Sequence, residues 1–241
     1  MEKAVKFINV FNILDRELQQ RAGFEKGKGT FAGALGRVKK QRDVLLYRHF
    51  DELYTINELR NAIVHESQGE EELIADPHDK WIEKTEDILR RLQNPRNCLH
   101  VSIIDVYKMK MDDDLKATLM HMKENSFSVC PIVNEDGAIV KILSEYSLLK
   151  FFADNAGDAT IIEASKISDL SEWLDDPLEK DISAAYEFVG KAESEFKIAE
   201  IFDSYLAKRS RLLAVFITEH GKPTEKPIGI FTSYDLPKIG D

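Results

Sequence analysis

Residues 229–236 read GIFTSYDL, and the rest of the chain can be understood from this stretch. The apolar Ile230 predicts a short strand, and Thr232 or Ser233 can cap the helix predicted after it. Asp235 follows Thr232 by three residues, close to that helix start. Free backbone N–H groups and a hydroxyl at a helix start can hold a phosphate. The nearby carboxylate can accept hydrogen bonds from both hydroxyls of a ribose, so the grouping favours a nucleoside phosphate as ligand.

The same pattern occurs earlier in the chain, at residues 141–148, which read KILSEYSL. Each copy follows an apolar strand that ends in an acidic turn and a glycine: FSVCPIVNEDG at 127–137 and LLAVFITEHG at 212–221. An amphipathic helix is predicted before each of these strands. The sequence therefore predicts two tandem β-α-β-β-α units.

These paired stretches resemble CBS domains, named for cystathionine β-synthase, whose units commonly end in Gly-apolar-apolar-Thr/Ser-x-x-Asp. The resemblance implies one pseudo-symmetric module of two repeats. We assign the first repeat to residues 98–154 and the second repeat to residues 183–241. The linking segment, 155–182, should pack four apolar side chains against the module: Ile167, Leu170, Trp173 and Leu174.

The resemblance also implies an adenosine ligand, such as AMP, ADP, ATP or S-adenosylmethionine, and no metal. In the second repeat, Asp235 would accept the ribose hydroxyls and Thr232 would hold the phosphate. Ile230 and Ser233 would line the site. A CBS pair that serves only as a dimerisation scaffold is the alternative.

The first repeat departs from the CBS pattern at two positions. Lys141 stands where the pattern has Gly, and Ser147 stands where it has Asp. Ser144 keeps only the hydroxyl. We therefore expect one functional site, in the second repeat.

Residues 1–97 predict an all-α helical bundle, so the fold class is α+β: a helical domain followed by the CBS pair. Apolar residues at helical spacing predict a first helix over residues 3–22. Further helical segments are predicted at about 30–40, 41–53 and 56–66, and a last helix begins near Asp76-Pro77.

Residues 60–65 read RNAIVH and are the candidate catalytic group of the helical half. They resemble the Arg-x4-His motif of HEPN domains, many of which are metal-independent, dimeric ribonucleases. The resemblance implies that Arg60 holds the phosphate, that His65 moves a proton and that Asn61 orients one of these groups. A surface ion pair for Arg60 and a helix-end cation for His65 are the alternative.

Composition limits the function classes. The net charge of −10 lies entirely in residues 101–241, so the CBS half should not favour nucleic acid. A basic cluster in residues 26–42 leaves RNA open as a partner of the helical half. No apolar run approaches a membrane span, and two isolated cysteines suit a reducing cytoplasm. Both family resemblances imply a homodimer.

Overall fold

The structure is a computed structural model that describes residues 2–25, 27–41, 43–64, 75–156, 165–178 and 185–240. The chain divides into two compact units. The helical unit comprises Met1–Arg96 together with Ile239–Asp241, and the sheet-containing unit comprises Asn97–Lys238.

Five α-helices are described in the helical unit, outside the undescribed residues 65–74. They are α1 (Glu2–Arg21), α2 (Phe31–Gln41), α3 (Val44–Arg48), α4 (Phe50–Val64) and α5 (Asp79–Gln93). Helix α1 buries Phe7, Phe11, Leu14 and Leu18 at helical spacing. The ring of Phe11 stacks on Phe31 of α2 with the ring centroids 4.8 Å apart. The helical interpretation of this half is thus consistent with the structure.

The break between α3 and α4 differs from the predicted one. It falls at His49 and not near residues 54–55. Helix α3 starts at Val44, where the side chain of Asp43 caps it by accepting a hydrogen bond from the Leu46 N–H at 3.1 Å. It is only one turn long, and the His49 N–H closes it by donating to the carbonyl oxygens of Leu45 and Tyr47.

The sheet-containing unit has two small sheets. Strands β1 (Val129–Val133) and β2 (Ile139–Ser144) form an antiparallel pair. The second sheet has the order β3 (Ala185–Gly190), β4 (Leu212–Thr218), β5 (Gly229–Phe231). In it, β3 and β4 are parallel, and β4 and β5 are antiparallel.

Three α-helices accompany these sheets: α6 (Leu115–Asn125), α7 (Glu145–Asp154) and α8 (Glu195–Ala207). Both sheets contribute to one apolar cluster, which contains Val129, Ile142, Tyr186, Phe216 and Ile230. The packing of the two sheets against one another is what brings side chains from different parts of the sequence to a shared site.

The element order departs from the predicted β-α-β-β-α repeat at two places. In the first repeat, the place of the leading strand has only an isolated parallel bridge between Met109 and Ile132. In the second repeat, the closing helix is the 3-10 helix Ser233–Lys238. Pro237 lies inside it, and proline removes a backbone donor that a continuing α-helix needs.

The apolar residues of the linking segment pack as predicted. Ile167, Leu170 and Leu174 are buried in a cluster with residues of α6, β1, β2 and α7, and Trp173 packs against that cluster. The ring of Trp173 meets Phe151 edge to face with the centroids 5.0 Å apart.

Candidate functional site

The stretch 229–236 forms β5 and the first part of the 3-10 helix Ser233–Lys238. Gly229 allows a close approach here, because an added Cβ would lie 3.0 Å from the Cδ1 of Ile217 and 3.2 Å from the Cδ2 of Leu99. The chain then turns at Thr232, and Asp235 follows in the first turn of the 3-10 helix. The strand-then-helix-start interpretation is therefore correct in outline, with a tighter helix than expected.

Asp235 is buried, and both of its carboxylate oxygens are hydrogen-bonded within the chain. Its Oδ2 accepts from the backbone N–H of Thr232 at 2.9 Å and from the Thr232 hydroxyl at 3.0 Å. Its Oδ1 accepts from the Nζ of Lys238 at 2.6 Å. The carboxylate is 6% exposed, whereas the Lys238 side chain is 52% exposed. Lys238 is thus the partner that a ligand could displace most easily.

The geometry changes the expected role of Thr232. Its hydroxyl directs its proton to Asp235, and a hydroxyl has only one proton to donate. In this arrangement Thr232 positions the carboxylate, and it has no proton left for a phosphate oxygen.

A cavity of about 750 Å³ lies beside Asp235 within the sheet-containing unit. Three of the four predicted binding residues line it: Ile230, Thr232 and Asp235. Ser233 is exposed and is not among the lining residues, and Tyr234 lines the cavity in its place. The volume is in the range of small-molecule sites, which is about 300–1,000 Å³.

The opposite wall of the cavity comes from the first repeat. Tyr107 and Phe127 provide aromatic surface there, with their ring centroids 6.2 Å apart. The charged side chains on the lining are Asp105, Glu145, Asp235 and Lys123. Acidic groups outnumber basic ones, so the lining favours a ligand of low negative charge.

The first repeat has a counterpart of this arrangement at the end of β2. Ser144, Ser147 and Lys150 have the same spacing as Thr232, Asp235 and Lys238. Ser144 caps α7: its Oγ accepts from the Ser147 N–H at 3.1 Å, and its own N–H donates to the Ser147 Oγ at 3.0 Å. The Ser147 hydroxyl oxygen therefore accepts from the Ser144 N–H, as the Asp235 carboxylate accepts from the Thr232 N–H in the second repeat.

A carboxylate from the linking segment completes this first cluster. The Oδ2 of Asp175 accepts from the hydroxyls of Ser144 at 2.8 Å, Ser147 at 2.9 Å and Tyr186 at 2.8 Å. Its Oδ1 accepts from the Nζ of Lys150 at 2.8 Å. Burial, reinforced by the Asp175 charge, raises the pKa of Tyr186, which keeps that hydroxyl protonated as a donor.

Comparison with known families places part of the sequence. Residues 100–154 match the family model described as CBS domain. That stretch of the chain is similar to a CBS domain. The match covers the first repeat, including Ser144, Ser147 and Lys150. A search of curated proteins found no match.

Solved structures that resemble this chain include CBS domain pairs. One is the CBS domain pair of protein MJ0100 in complex with 5′-methylthioadenosine and S-adenosyl-L-methionine, with a TM-score of 0.41 and 15% identity over 59% of this chain and 98% of that chain. CBSX2 in complex with AMP has a TM-score of 0.40 and 16% identity over 59% and 93%. Hypoxic Response Protein I, with two coordinated zinc ions, has a TM-score of 0.39 and 15% identity over 59% and 98%.

The candidate catalytic group of the helical unit is described only in part. Arg60 and Asn61 lie near the end of α4, and His65 lies outside the described residues. The Nη1 of Arg60 donates to the Asn61 Oδ1 at 3.3 Å, and the guanidinium lies 5.8 Å from the centroid of the Phe11 ring. Within the described part of the chain, the buried Nε of Arg60 has no hydrogen-bond partner. The HEPN-type ribonuclease stays a prediction.

Several side chains of the basic 26–42 cluster contact neighbouring groups. Arg37 lies 3.7 Å from the centroid of the Phe24 ring, and Lys39 lies 4.0 Å from that of Phe50. Lys28 forms an ion pair with Glu25. Lys26 and Arg42 lie outside the described residues. RNA as a partner stays a prediction.

The described residues also bear on metal binding and on membrane-spanning helices. Across the described ranges, no group of three or more His, Cys, Asp or Glu residues could hold a metal ion. None of the described helices is long and apolar enough to cross a membrane. Cys98 and Cys130 are buried free thiols, and burial raises the pKa of Cys130 to about 12.

The residues that sequence reasoning missed include the two lysines and the linking-segment carboxylate of these sites: Lys150, Lys238 and Asp175. Each lysine follows its Ser147 or Asp235 counterpart by three residues, so aligning the two repeats over a slightly longer stretch would have revealed the pair. Asp175 had no comparable signal, because it lies 28 residues from Ser147 along the chain.

Proposed function

We propose that this protein binds an adenosine ligand, AMP, ADP, ATP or S-adenosylmethionine, at the second repeat and that binding regulates the helical unit. The observation that carries the proposal is the buried carboxylate of Asp235 at the wall of a cavity of about 750 Å³. Acidic side chains are rarely buried unless they are paired, and a ligand-sized pocket with a few convergent polar groups is the usual form of a small-molecule site.

The cavity suits the two ends of an adenosine. The ribose hydroxyls would donate to Asp235, and the Oδ1 now used by Lys238 would become available when that exposed lysine moves away. The adenine ring would lie against apolar and aromatic surface from Ile230, Tyr107 and Phe127. The acidic lining makes S-adenosylmethionine, whose sulfonium is cationic, or AMP a better match than ATP.

The route of the chain supports control of the helical unit. Lys238, the partner of Asp235, is the last residue of the sheet-containing unit, and Ile239 is grouped with the helical unit. Within the helical unit, the Nη1 of Arg91 donates to the Gly240 carbonyl at 2.5 Å. A ligand that displaces Lys238 would therefore act directly next to a segment that is fixed on α5. The expected consequence is a change in the helical unit on ligand binding.

A thermal-shift comparison tests ligand binding. AMP, ADP, ATP and S-adenosylmethionine are each added to the wild type, to Asp235→Ala and to Asp136→Asn, an exposed aspartate outside the cavity lining. A ligand that binds only the folded state raises the melting temperature, by roughly 3–10 °C at about 100 times its Kd. We expect that rise in the wild type and in Asp136→Asn, and a much smaller one in Asp235→Ala. No rise with any of the four ligands would refute the proposal.

Regulation has a separate readout. Trp81 belongs to the helical unit and Trp173 to the sheet-containing unit, so Trp173→Phe leaves fluorescence from the helical unit alone. We expect the ligand to change the Trp81 emission or its quenching. Ligand binding without any change in the Trp81 signal would refute regulation of the helical unit and leave the binding proposal intact.

We also infer a cytoplasmic homodimer. Met120 of α6 and Leu149 and Phe152 of α7 are exposed apolar residues beside a groove lined by Leu119, Leu148 and Phe151. Such a surface is what a second copy would cover. Light scattering should give about twice the 27.6 kDa chain mass, and Phe152→Glu should lower it. Leu178→Glu should not, because Leu178 is more exposed than Phe152 and lies outside the groove lining. A wild-type monomer would contradict the inference.

The two buried free cysteines support a reducing compartment.

A further inference from the structure

We propose that the first repeat contains a binding site for a small carboxylate-like anion and that the chain's own Asp175 occupies it. The proposal does not depend on adenosine binding at the second repeat. It concerns the cluster of Ser144, Ser147, Lys150 and Tyr186 around the Asp175 carboxylate.

The chemistry of the cluster is that of an anion site. Three hydroxyls and one ammonium group converge on the carboxylate within 2.8–2.9 Å. Hydrogen bonds to a charged acceptor are roughly twice as strong as neutral ones. The donors come from three elements: Ser144 ends β2, Ser147 and Lys150 lie in α7, and Tyr186 lies in β3. These four donors are not sequence neighbours of Asp175.

The two repeats differ in where their carboxylate comes from, and this difference is why we treat Asp175 as the occupant of an anion site. There, the carboxylate belongs to the repeat itself, at Asp235, and it faces a cavity. In the first repeat, the equivalent position is Ser147, whose hydroxyl points its proton outward to Asp175. The Asp175 carboxylate therefore accepts the hydrogen bond that a ligand's acceptor group would accept from Ser147, in the first turn of α7.

The backbone keeps Asp175 in that place. Its N–H and C=O pair with the C=O and N–H of Ile142 on β2, each at 3.0 Å. The side chain is 8% exposed. An internal carboxylate held in this way has a high effective concentration, so it excludes free anions and nucleotides from the first repeat.

Chemical rescue with formate tests the proposal. Asp175→Ala removes the volume and charge of one carboxylate, which formate can replace. We expect the variant to melt about 10 °C below the wild type in chloride. Sodium formate at about 0.2 M should restore about 3 °C or more relative to sodium chloride of equal ionic strength.

Matched variants show whether the rescue is specific. Asp175→Asn fills the same volume, so formate should not raise its melting temperature, and the wild type and Asp136→Ala should not respond either. Asp175→Ala that melts like the wild type, an equal formate response in the wild type, or no response in Asp175→Ala would each overturn the proposal. If Asp175→Ala does not fold in chloride, refolding is compared in formate and chloride. Folded protein recovered only in formate supports the anion site, and none in either salt overturns it.

Discussion

The ends of the two repeats use the same spacing of residues for opposite purposes. In the second repeat, Asp235 is held by Thr232 and by an exposed lysine, and it faces a cavity. In the first repeat, Ser147 has no carboxylate of its own, and Asp175 of the linking segment fills the position beyond it. One difference, Asp at one position and Ser at the other, thus distinguishes an end whose own carboxylate lines a cavity from an end whose carboxylate comes from the linking segment.

The difference is also one of energetics. Asp235 makes one of its contacts to a half-exposed ammonium group, and exposed ion pairs contribute only about 0.2–1 kcal/mol. Asp175 satisfies buried Tyr186 and Ser147, and a buried donor without its partner costs about 1–3 kcal/mol. We therefore expect the closed end to matter for stability and the open end for binding.

The largest expected effect is on the stability of the closed end. Asp175→Ala should lower the free energy of unfolding by about 2–4 kcal/mol, because Tyr186 loses its acceptor and Lys150 its counter-ion. Asp235→Ala should lower it by about 1 kcal/mol, the usual worth of a capping contact. Urea unfolding followed by Trp173 fluorescence in a Trp81→Phe background reports on the sheet-containing unit alone. Equal losses in the two variants would remove the distinction between the ends.

The second effect is on affinity, and it should reverse the order. Asp235→Ala should weaken AMP or S-adenosylmethionine binding roughly tenfold or more, since a charge-assisted hydrogen bond is worth about 1.5–3 kcal/mol. Asp175→Asn, which keeps the side-chain volume, should leave the affinity within about twofold. Isothermal titration calorimetry measures both below the melting temperature of each variant. An affinity that depends on Asp175 and not on Asp235 would mean that the two ends have been interpreted the wrong way round.

The smallest effect concerns the two lysines. Lys238→Met should tighten adenosine binding by up to about fivefold, because the ligand no longer has to displace the half-exposed Lys238 ammonium group from the Asp235 Oδ1. Lys150→Met should not change the affinity, since its ammonium group contacts the closed end. Adenosine itself is the appropriate titrant, as it has no phosphate for either lysine to contact. Weaker binding by Lys238→Met would show that this lysine helps to hold the ligand.

The predictable parts of the molecule depend on local pattern. The first helix and the apolar positions of the linking segment follow from residue spacing, and so does the turn at Thr232. The 3-10 form of the last helix is explained by Pro237, whose position in the sequence disfavours the expected α-helix. The short α3 depended on the cap at Asp43.

The partners of the candidate site were not predictable from local pattern. The Asp175 cluster joins residues from β2, α7, β3 and the linking segment, and their proximity follows only from the packing of the two sheets. Likewise, Ser233 was expected to line the site, but the tight 3-10 turn leaves it exposed and brings Tyr234 to the cavity.

Hydrogen–deuterium exchange of the wild type, with and without a saturating adenosine ligand, tests the central claim most directly. The account predicts slower exchange in the peptide 229–236, which carries Thr232 and Asp235, and unchanged exchange in the peptide 173–178, which carries Asp175. Slower exchange at 173–178 with no change at 229–236 would contradict it, because the ligand would then occupy the end at which the Asp175 carboxylate accepts hydrogen bonds from Ser144, Ser147 and Tyr186.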